Sequence, residues 1–412
     1  MTIIMSVVGI ATLFGLALLL SSNRRAINLR TVSIAFAIQV TIAALILYVP
    51  QGDAVLNAMA SGVQSVIDYA YVGIRFLFGD LGVRKPGSIT IAFHVLPVIV
   101  FFSALMATLY YLRVMQTVIT VLGGWLHKLL KTSRIESMTA VANIFIGHTE
   151  SPLVVRPYIA GMTQSELFAV MTVGCATIAG AVMAGYAAMG IDLKYLLTAS
   201  FMGAPGGLLM AKLMMPETDY RDPNLGGAQF GEDSPPVNIF EAVANGTRDG
   251  LMLALNVGAM LLAFVAMIAL LNGIIGGVGG LFGAEGLTFE KMLGWLLAPL
   301  AFLLGVPWSE ANAAGSLIGQ KFVVNEFVAY LSLSGMLESL TPKTQVIATV
   351  ALCGFANLSS IAILLGGLGS LAPSRRPDIA RMGLRAVVAG TLSNLMSAAL
   401  AGLFFSLRTP LT

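Results

Sequence analysis

The sequence is poor in charge. Of its 412 residues only 10% are Asp, Glu, Lys or Arg, while 57% are hydrophobic. A soluble globular chain carries about a quarter charged residues, so this one has too few to cover a water-facing surface. The shortage excludes a soluble enzyme, a nucleic-acid binder and a disordered chain. A net charge of +3 is too small to point to an anionic partner. Cysteine is scarce as well. Cys175 and Cys353 sit far apart in apolar runs, which argues against a disulfide framework. There is no cysteine cluster, glycine-rich phosphate loop or nucleophile elbow. His94 and His127 lie in no ligand pattern. His148-Thr149-Glu150 is not the spacing that puts two histidines on one helix face. What is left is an all-α polytopic membrane protein without an enzyme's nucleophile or metal set. Each charge in it lies outside the bilayer or has a reason to be inside.

A span needs about 20 residues free of charge. The long uncharged stretches are 1–23, 31–52, 87–112, 167–191, 250–284, 344–374 and 386–407. An eighth, 195–211, is shorter but flanked by Lys194 and Lys212, whose stems can snorkel. The first has no basic residues before its apolar core, and Arg24, Arg25 and Arg30 follow it, so it reads as a retained helix and not a cleaved signal. The positive-inside rule puts those arginines in the cytoplasm, together with Arg113, Lys128, Lys131 and Arg134 and with Arg375, Arg376, Arg381 and Arg385. Eight spans then leave both termini outside. The 216–249 segment, with Pro223, Pro235 and Pro236, reads as a cytoplasmic loop followed by a short surface helix.

Two apolar regions carry charges and break the pattern. Residues 136–160 contain Glu136, Glu150 and Arg156, and residues 290–332 contain Glu310, Lys321 and Glu326. If either crossed alone, the C-terminal arginines would move outside. Each is therefore expected to be a re-entrant hairpin, although ten spans would also preserve parity. Each hairpin precedes a span, and the two units face opposite ways. Inverted repeats with broken helices and a midplane site are the architecture of secondary transporters.

The first hairpin holds Gly147-His-Thr-Glu-Ser-Pro152, a polar triplet between two helix breakers. The second holds Gly305-Val-Pro307, beside which Glu310 reads as a surface group or a cap, and then Asn325-Glu-Phe327. Glu326 lies on an arm rich in Phe and Val, and its two acceptor oxygens suit vicinal sugar hydroxyls. Lys321 is a candidate partner for it, at a spacing poor for one helix face. Span 344–374 is interrupted by Gly354-Phe-Ala-Asn-Leu-Ser-Ser360. There Phe355 can stack, and Asn357 and Ser360 offer hydrogen bonds at helical spacing. The matching place in span 167–191 is Ala176-Thr-Ile-Ala-Gly180. Thr177 is equally open to bonding its own helix backbone.

Three of these motifs, Gly147-His-Thr-Glu-Ser-Pro152, Asn325-Glu-Phe-Val-Ala-Tyr330 and Gly354-Phe-Ala-Asn-Leu-Ser-Ser-Ile361, resemble the signatures of the concentrative nucleoside transporters. The resemblance covers nearly the whole chain. It implies eight transmembrane helices, two re-entrant hairpins in inverted repeats and interfacial helices. Residues 1–135 would hold scaffold spans one to three and interfacial helices, and 136–215 the first transport repeat. Residues 216–284 would hold a cytoplasmic loop and scaffold span six, and 285–412 the second transport repeat. It also implies a homotrimer in the bacterial inner membrane that moves nucleosides across the lipid bilayer by an elevator motion. No cofactor is expected, only a coupling ion. By the resemblance, His148, Thr149 and Glu150 contact the base, Glu326 the ribose, Phe355, Asn357 and Ser360 base and ribose, and Val182 packs on the base.

One position departs from the family. The tip usually reads Gly-Gln-Thr-Glu, and here His148 stands for Gln. Neutral His has one donor and one acceptor and loses the acceptor on protonation, so base preference does not carry over. The family's sodium site maps onto Asn143, Thr149 and Thr177, with carbonyls at Ile146 and Ile178. Hard oxygens suit a small hard cation, so sodium is the expected coupling ion. His148 and Glu150 keep the proton as the alternative.

Overall fold

The computed structural model describes residues 2–83, 90–148, 150–219, 236–284 and 286–408. Among them every regular element is helical. Helix α1 spans Thr2–Leu19, α2 Leu29–Leu47, α3 Pro50–Phe78, α4 Ile91–His94, α5 Leu96–Tyr111 and α6 Val114–Leu130. The first repeat follows as α7 Arg134–Ala142, α8 Arg156–Ile159, α9 Gln164–Ala176, α10 Gly180–Ala188 and α11 Leu193–Met214. Then come α12 Ile239–Leu281, α13 Phe289–Leu303, α14 Trp308–Val323, α15 Glu326–Met336, α16 Pro342–Leu352, α17 Ser360–Leu371 and α18 Arg376–Arg408.

Every expected span has its helix. Six are long and apolar enough to cross a bilayer: α2, α4–α5, α9–α10, α11, α12 and the α18 segment. The other two are α1 and the broken pair α16/α17. The chain is a multi-pass membrane protein. The interiors of these helices differ sharply. In the best apolar window of α9–α10 and of α11, 94% of residues are buried inside the protein, against 11% for α12. The first two are enclosed by other helices, and α12 is left for lipid or for another copy of the chain. Where α12 does pack, it packs on α5 through small residues. A Cβ added at Gly250 would lie 2.9 Å from the Val100 Cα, and one at Gly246 would lie 2.9 Å from the Ala104 Cα. Small residues four apart let two helices approach closely, which is how helices associate where lipid removes the hydrophobic drive.

The first repeat starts from two capping boxes. Ser133 and Glu136 close one at α7, and Thr163 and Glu166 close the other at α9. Glu136 is also ion-paired with Lys212 of α11, so its charge belongs to the helix end and not to the hairpin interior.

Three boundaries differ from the sequence reading. The 216–249 segment was expected to end in a short surface helix. Residues 220–235 lie outside the described residues, and from Ile239 the chain instead enters α12 without a break. Asn238 caps this helix at Glu241, and Gly246 and Gly250 serve packing on α5, so nothing stops it before the span. Region 290–332 is not one hairpin. It contains α13, which meets α14 at 115° across the Gly305–Pro307 break, and the hairpin proper is α14/α15. Third, the uncharged stretch 31–52 ends its helix at Leu47. Pro50 opens α3, and Gly52 is needed because a methyl group there would overlap the Leu45 carbonyl.

Candidate functional site

The two hairpins end where the two broken helices are interrupted. Helix α9 stops at Ala176 and α10 starts at Gly180; α16 stops at Leu352 and α17 starts at Ser360. The breaks are bonded to each other and to the hairpins. Phe355 N–H donates to the Thr177 carbonyl at 3.2 Å. Gly180 N–H donates to Phe145 O at 3.0 Å, and Leu358 N–H donates to Phe322 O at 3.1 Å. Irregular backbone inside a membrane protein survives only when protein covers it, and these bonds are that cover.

Glu326 sits at the start of α15, whose N-cap is Asn325. It is 4% exposed. Tyr186 O–H donates to its Oε1 at 3.1 Å, and Asn357 Nδ2 donates to its Oε2 at 3.0 Å. Asn357 has no freedom to turn its amide over. Its Oδ1 accepts from Ser359 Oγ at 2.6 Å, from Ser360 N at 3.0 Å and from Ser360 Oγ at 3.1 Å. Ser360 Oγ also donates to the Phe355 carbonyl. The carboxylate is thus held at both oxygens by a platform of α10 and the α16/α17 break. Asn357 and Ser360 do not present free groups from one helix face, as their spacing had suggested. Asn357 lies before the helix and binds the Ser360 backbone as a cap would.

Hairpin one is built differently. The His148 ring packs on Phe355, with centroids 4.6 Å apart and planes at 51°. It is buried, yet among the described residues neither Nδ1 nor Nε2 has a partner. Asn143 donates Nδ2 to Thr139 O at 2.9 Å, and among the described residues neither its Oδ1 nor the Ser151 hydroxyl has a partner. Buried polar groups without partners are rare, and a cluster of them on one turn marks a place built for something else to bind. Glu150 is exposed, with its N–H on Gly147 O at 3.0 Å. A Cβ placed on Gly174 would be 2.9 Å from His148 Cβ and 4.0 Å from Asn143 Oδ1, so the tip lies against the last turn of α9. Thr177 ends that turn. Its hydroxyl donates to Val173 O at 2.9 Å, the self-bonding that membrane threonines favour, while its oxygen keeps acceptor capacity. Ile146 and Ile178 are buried on either side of the Phe145–Gly180 bond. Val182 is buried one turn before Tyr186. Thr149 lies outside the described residues.

Two expectations about charge resolve differently. Lys321 is not the partner of Glu326. Its Nζ donates to Ala351 O at 2.9 Å and to Asn394 Oδ1 at 2.5 Å. Glu310 is a cap: it accepts from Thr341 N at 3.1 Å and from Thr341 Oγ1 at 2.9 Å. Two site residues went unnoticed in the sequence, Tyr186 and Asn394. Tyr186 was visible as a lone hydrogen-bonding side chain among small apolar residues, Ala-Gly-Tyr186-Ala-Ala, and Asn394 as an amide beside Ser393 in an apolar run. Among the described residues no group of three metal-type ligands occurs.

Comparison with known proteins bears on the whole chain. Residues 195–402 match the family model described as Na+ dependent nucleoside transporter C-terminus, and residues 8–81 match its N-terminus. Residues 92–192 match a model described as nucleoside recognition. The nucleoside permease NupC of Helicobacter pylori is 54% identical over 98% of this chain and 98% of its own. The solved structure of CNTnw in an inward-facing substrate-bound state is 54% identical, covers 100% of both chains and superposes with a TM-score of 0.94. A variant of CNTnw in an outward-facing state also gives a TM-score of 0.94, over 99% of each chain.

Proposed function

The chain belongs to the concentrative nucleoside transporter family, and from that premise we propose that it is a sodium-coupled nucleoside symporter. The observation that carries this reading is the contrast at the site: a fully held carboxylate, Glu326, beside a buried hairpin tip with unpartnered polar atoms. Glu326 keeps two carboxylate oxygens whose remaining lone pairs suit two vicinal ribose hydroxyls. Phe355 offers a face and His148 an edge for the base, with Thr149 and Glu150 on the same tip and Val182 as apolar packing. The sugar is the constant part of every nucleoside, so the rigid side of the site grips it.

Asn143 Oδ1, the Thr177 hydroxyl oxygen, Thr149 and the carbonyls of Ile146 and Ile178 form an all-oxygen set for a small hard cation. A sodium ion there orders the same tip that meets the base, so ion and nucleoside raise each other's affinity. Proton coupling is the second reading, favoured by the unpartnered His148 ring. Solved states of relatives facing both sides support alternating access, with the two repeats moving as an elevator inside a homotrimeric scaffold. On this reading the protein sits in the bacterial inner membrane with both termini periplasmic or extracellular. Competition uptake into proteoliposomes with all common nucleosides, in sodium and in choline at fixed pH, tests the proposal. Sodium-driven uptake inhibited only by nucleosides is expected. Equal uptake in choline would move the reading to protons, and no uptake of any nucleoside would reject it.

A further inference from the structure

Lys321 is a buried cation that the proposed cycle does not use. It is 2% exposed, and no carboxylate lies within ion-pair distance of it among the described residues. A buried ammonium with neutral partners alone is costly, so something else must offset its charge. We propose that the Lys321 ammonium is a tethered cation in the second repeat, standing where the mobile coupling ion stands in the first. The comparison with the first repeat rests on the sodium site proposed above.

Position along the hairpin arm supports the correspondence, with an offset that differs by one residue. In each repeat a residue at the far side of the helix break donates to a phenylalanine carbonyl near the end of the hairpin's first arm: Gly180, which opens α10, to Phe145, and Leu358, two residues before α17, to Phe322. Asn143, the ion ligand of repeat one, lies two residues before Phe145. Lys321 lies one residue before Phe322. The surroundings match as well. Lys321 Nζ meets Ala351 O in the last turn of α16. Its second partner, Asn394 Oδ1, belongs to an amide whose Nδ2 donates to Ala176 O at 2.7 Å and to Cys353 O at 2.8 Å. Ala176 is the last residue of α9, and Cys353 follows the last residue of α16. One half-helix C-terminus therefore meets the ammonium directly and a second reaches it through the Asn394 amide, each end bearing about half a negative charge. Such C-terminal ends are where broken-helix transporters hold cations. The cluster is packed tightly enough that a side chain at Gly354 would strike the Asn394 amide.

The charged and titratable groups nearby are few. Glu326 is five residues on, with its oxygens held by Tyr186 and Asn357. The thiols of Cys175 and Cys353 are buried beside the breaks. The ammonium thus contacts helix ends, with the Glu326 charge acting on it through space and not as an ion-pair contact, and it locks both breaks to α18 through Asn394.

The test compares the full-length protein with Lys321→Met, Lys321→Gln and Lys321→Ala, without nucleoside, by melting temperature. Propylammonium, which has the atoms that the alanine variant lacks, is titrated in, with tetramethylammonium as control. The alanine variant should melt lower by about 2–4 °C or more and recover saturably with propylammonium. Wild type and Lys321→Met should not respond. The glutamine variant, a neutral donor, should fall with the methionine variant, and both should lose roughly tenfold in uptake, the scale of one charge–dipole interaction. If Lys321→Gln melts and transports like wild type, hydrogen bonding suffices and the proposal is overturned. It is also overturned if the alanine variant folds and propylammonium leaves it unchanged. Should the alanine variant fail to fold, the glutamine and methionine pair decides alone. Because melting is read without nucleoside, failure here is distinct from failure of the nucleoside reading.

Discussion

Hairpin one and hairpin two each carry polar groups into the middle of an apolar protein, yet they treat those groups in opposite ways. On hairpin two the polar side chains find partners. Glu326 is bonded at both oxygens, Lys321 has two acceptors, Asn325 caps α15, and Gln320 bonds Ser316 and Ser332. On hairpin one Asn143 Oδ1, both His148 ring nitrogens and the Ser151 hydroxyl are buried and have no partner among the described residues. A satisfied network is rigid, whereas unsatisfied groups are stabilised by whatever binds them. On the proposed function, the second hairpin is the preformed wall of the site, and the first is the part that ligand and ion complete.

The comparison breaks most visibly at Glu326. Glu326→Gln keeps the shape but removes the charge that Tyr186 and Asn357 share and that the proposed sugar hydroxyls would meet. Hydrogen bonds to charged groups are worth about 1.5–3 kcal/mol, so nucleoside affinity should fall roughly 10- to 100-fold by equilibrium binding. Unchanged affinity would remove Glu326 from the site. Tyr186→Phe deletes one neutral donor to that carboxylate. A weakening of about fivefold is expected in the same titration, at about 1 kcal/mol, with little change in sodium dependence. If sodium dependence is lost instead, the wall is not independent of the ion.

On the unsatisfied side the expected effects are smaller and conditional. Neutral His148 offers an acceptor and imidazolium does not. Uptake by the wild type should decline where acid pH protonates His148, and His148→Gln should be flat over the same range. Parallel profiles would show that His148 does not accept from substrate. The smallest effect is expected away from both hairpins. Asp53 of α3 pairs with Lys194 of α11 and with Arg408 of α18. Its pKa is lowered from the ordinary value of 3.8, chiefly by the Arg408 hydrogen bond and then by Lys194, against burial. A depressed folded pKa contributes stability above the unfolded value that disappears as pH falls through the folded one. Asp53→Asn should therefore melt slightly lower than wild type at pH 7, with the gap closing below about pH 4, and should bind nucleoside unchanged. A binding defect would mean that this outer cluster is coupled to the site.

Much of this was legible in the sequence because charge is so scarce. The eight spans show as uncharged stretches, and Glu326 stands out because a carboxylate on an apolar arm needs a reason. The helix breaks at Gly180, Gly354 and Gly305–Pro307 are likewise local signals. What stayed hidden depends on contacts across the chain. The bond from Tyr186 to Glu326 spans 140 residues and that from Lys321 to Asn394 spans 73, so no spacing rule points to either. Proximity in sequence suggested Lys321 as the partner of Glu326, but the helix ends compete for the ammonium and win. Likewise α13 could not be told from a hairpin arm, since its apolar composition is the same and only the 115° bend separates it.

The central claim is that a cation completes the unsatisfied hairpin and thereby raises its affinity for nucleoside. Calorimetric titration of a nucleoside into the wild type and into Asn143→Ala, each in sodium and in choline, tests it most directly. The wild type should bind more tightly in sodium, and Asn143→Ala should bind weakly and equally in both salts. Retained sodium dependence in Asn143→Ala would contradict the account.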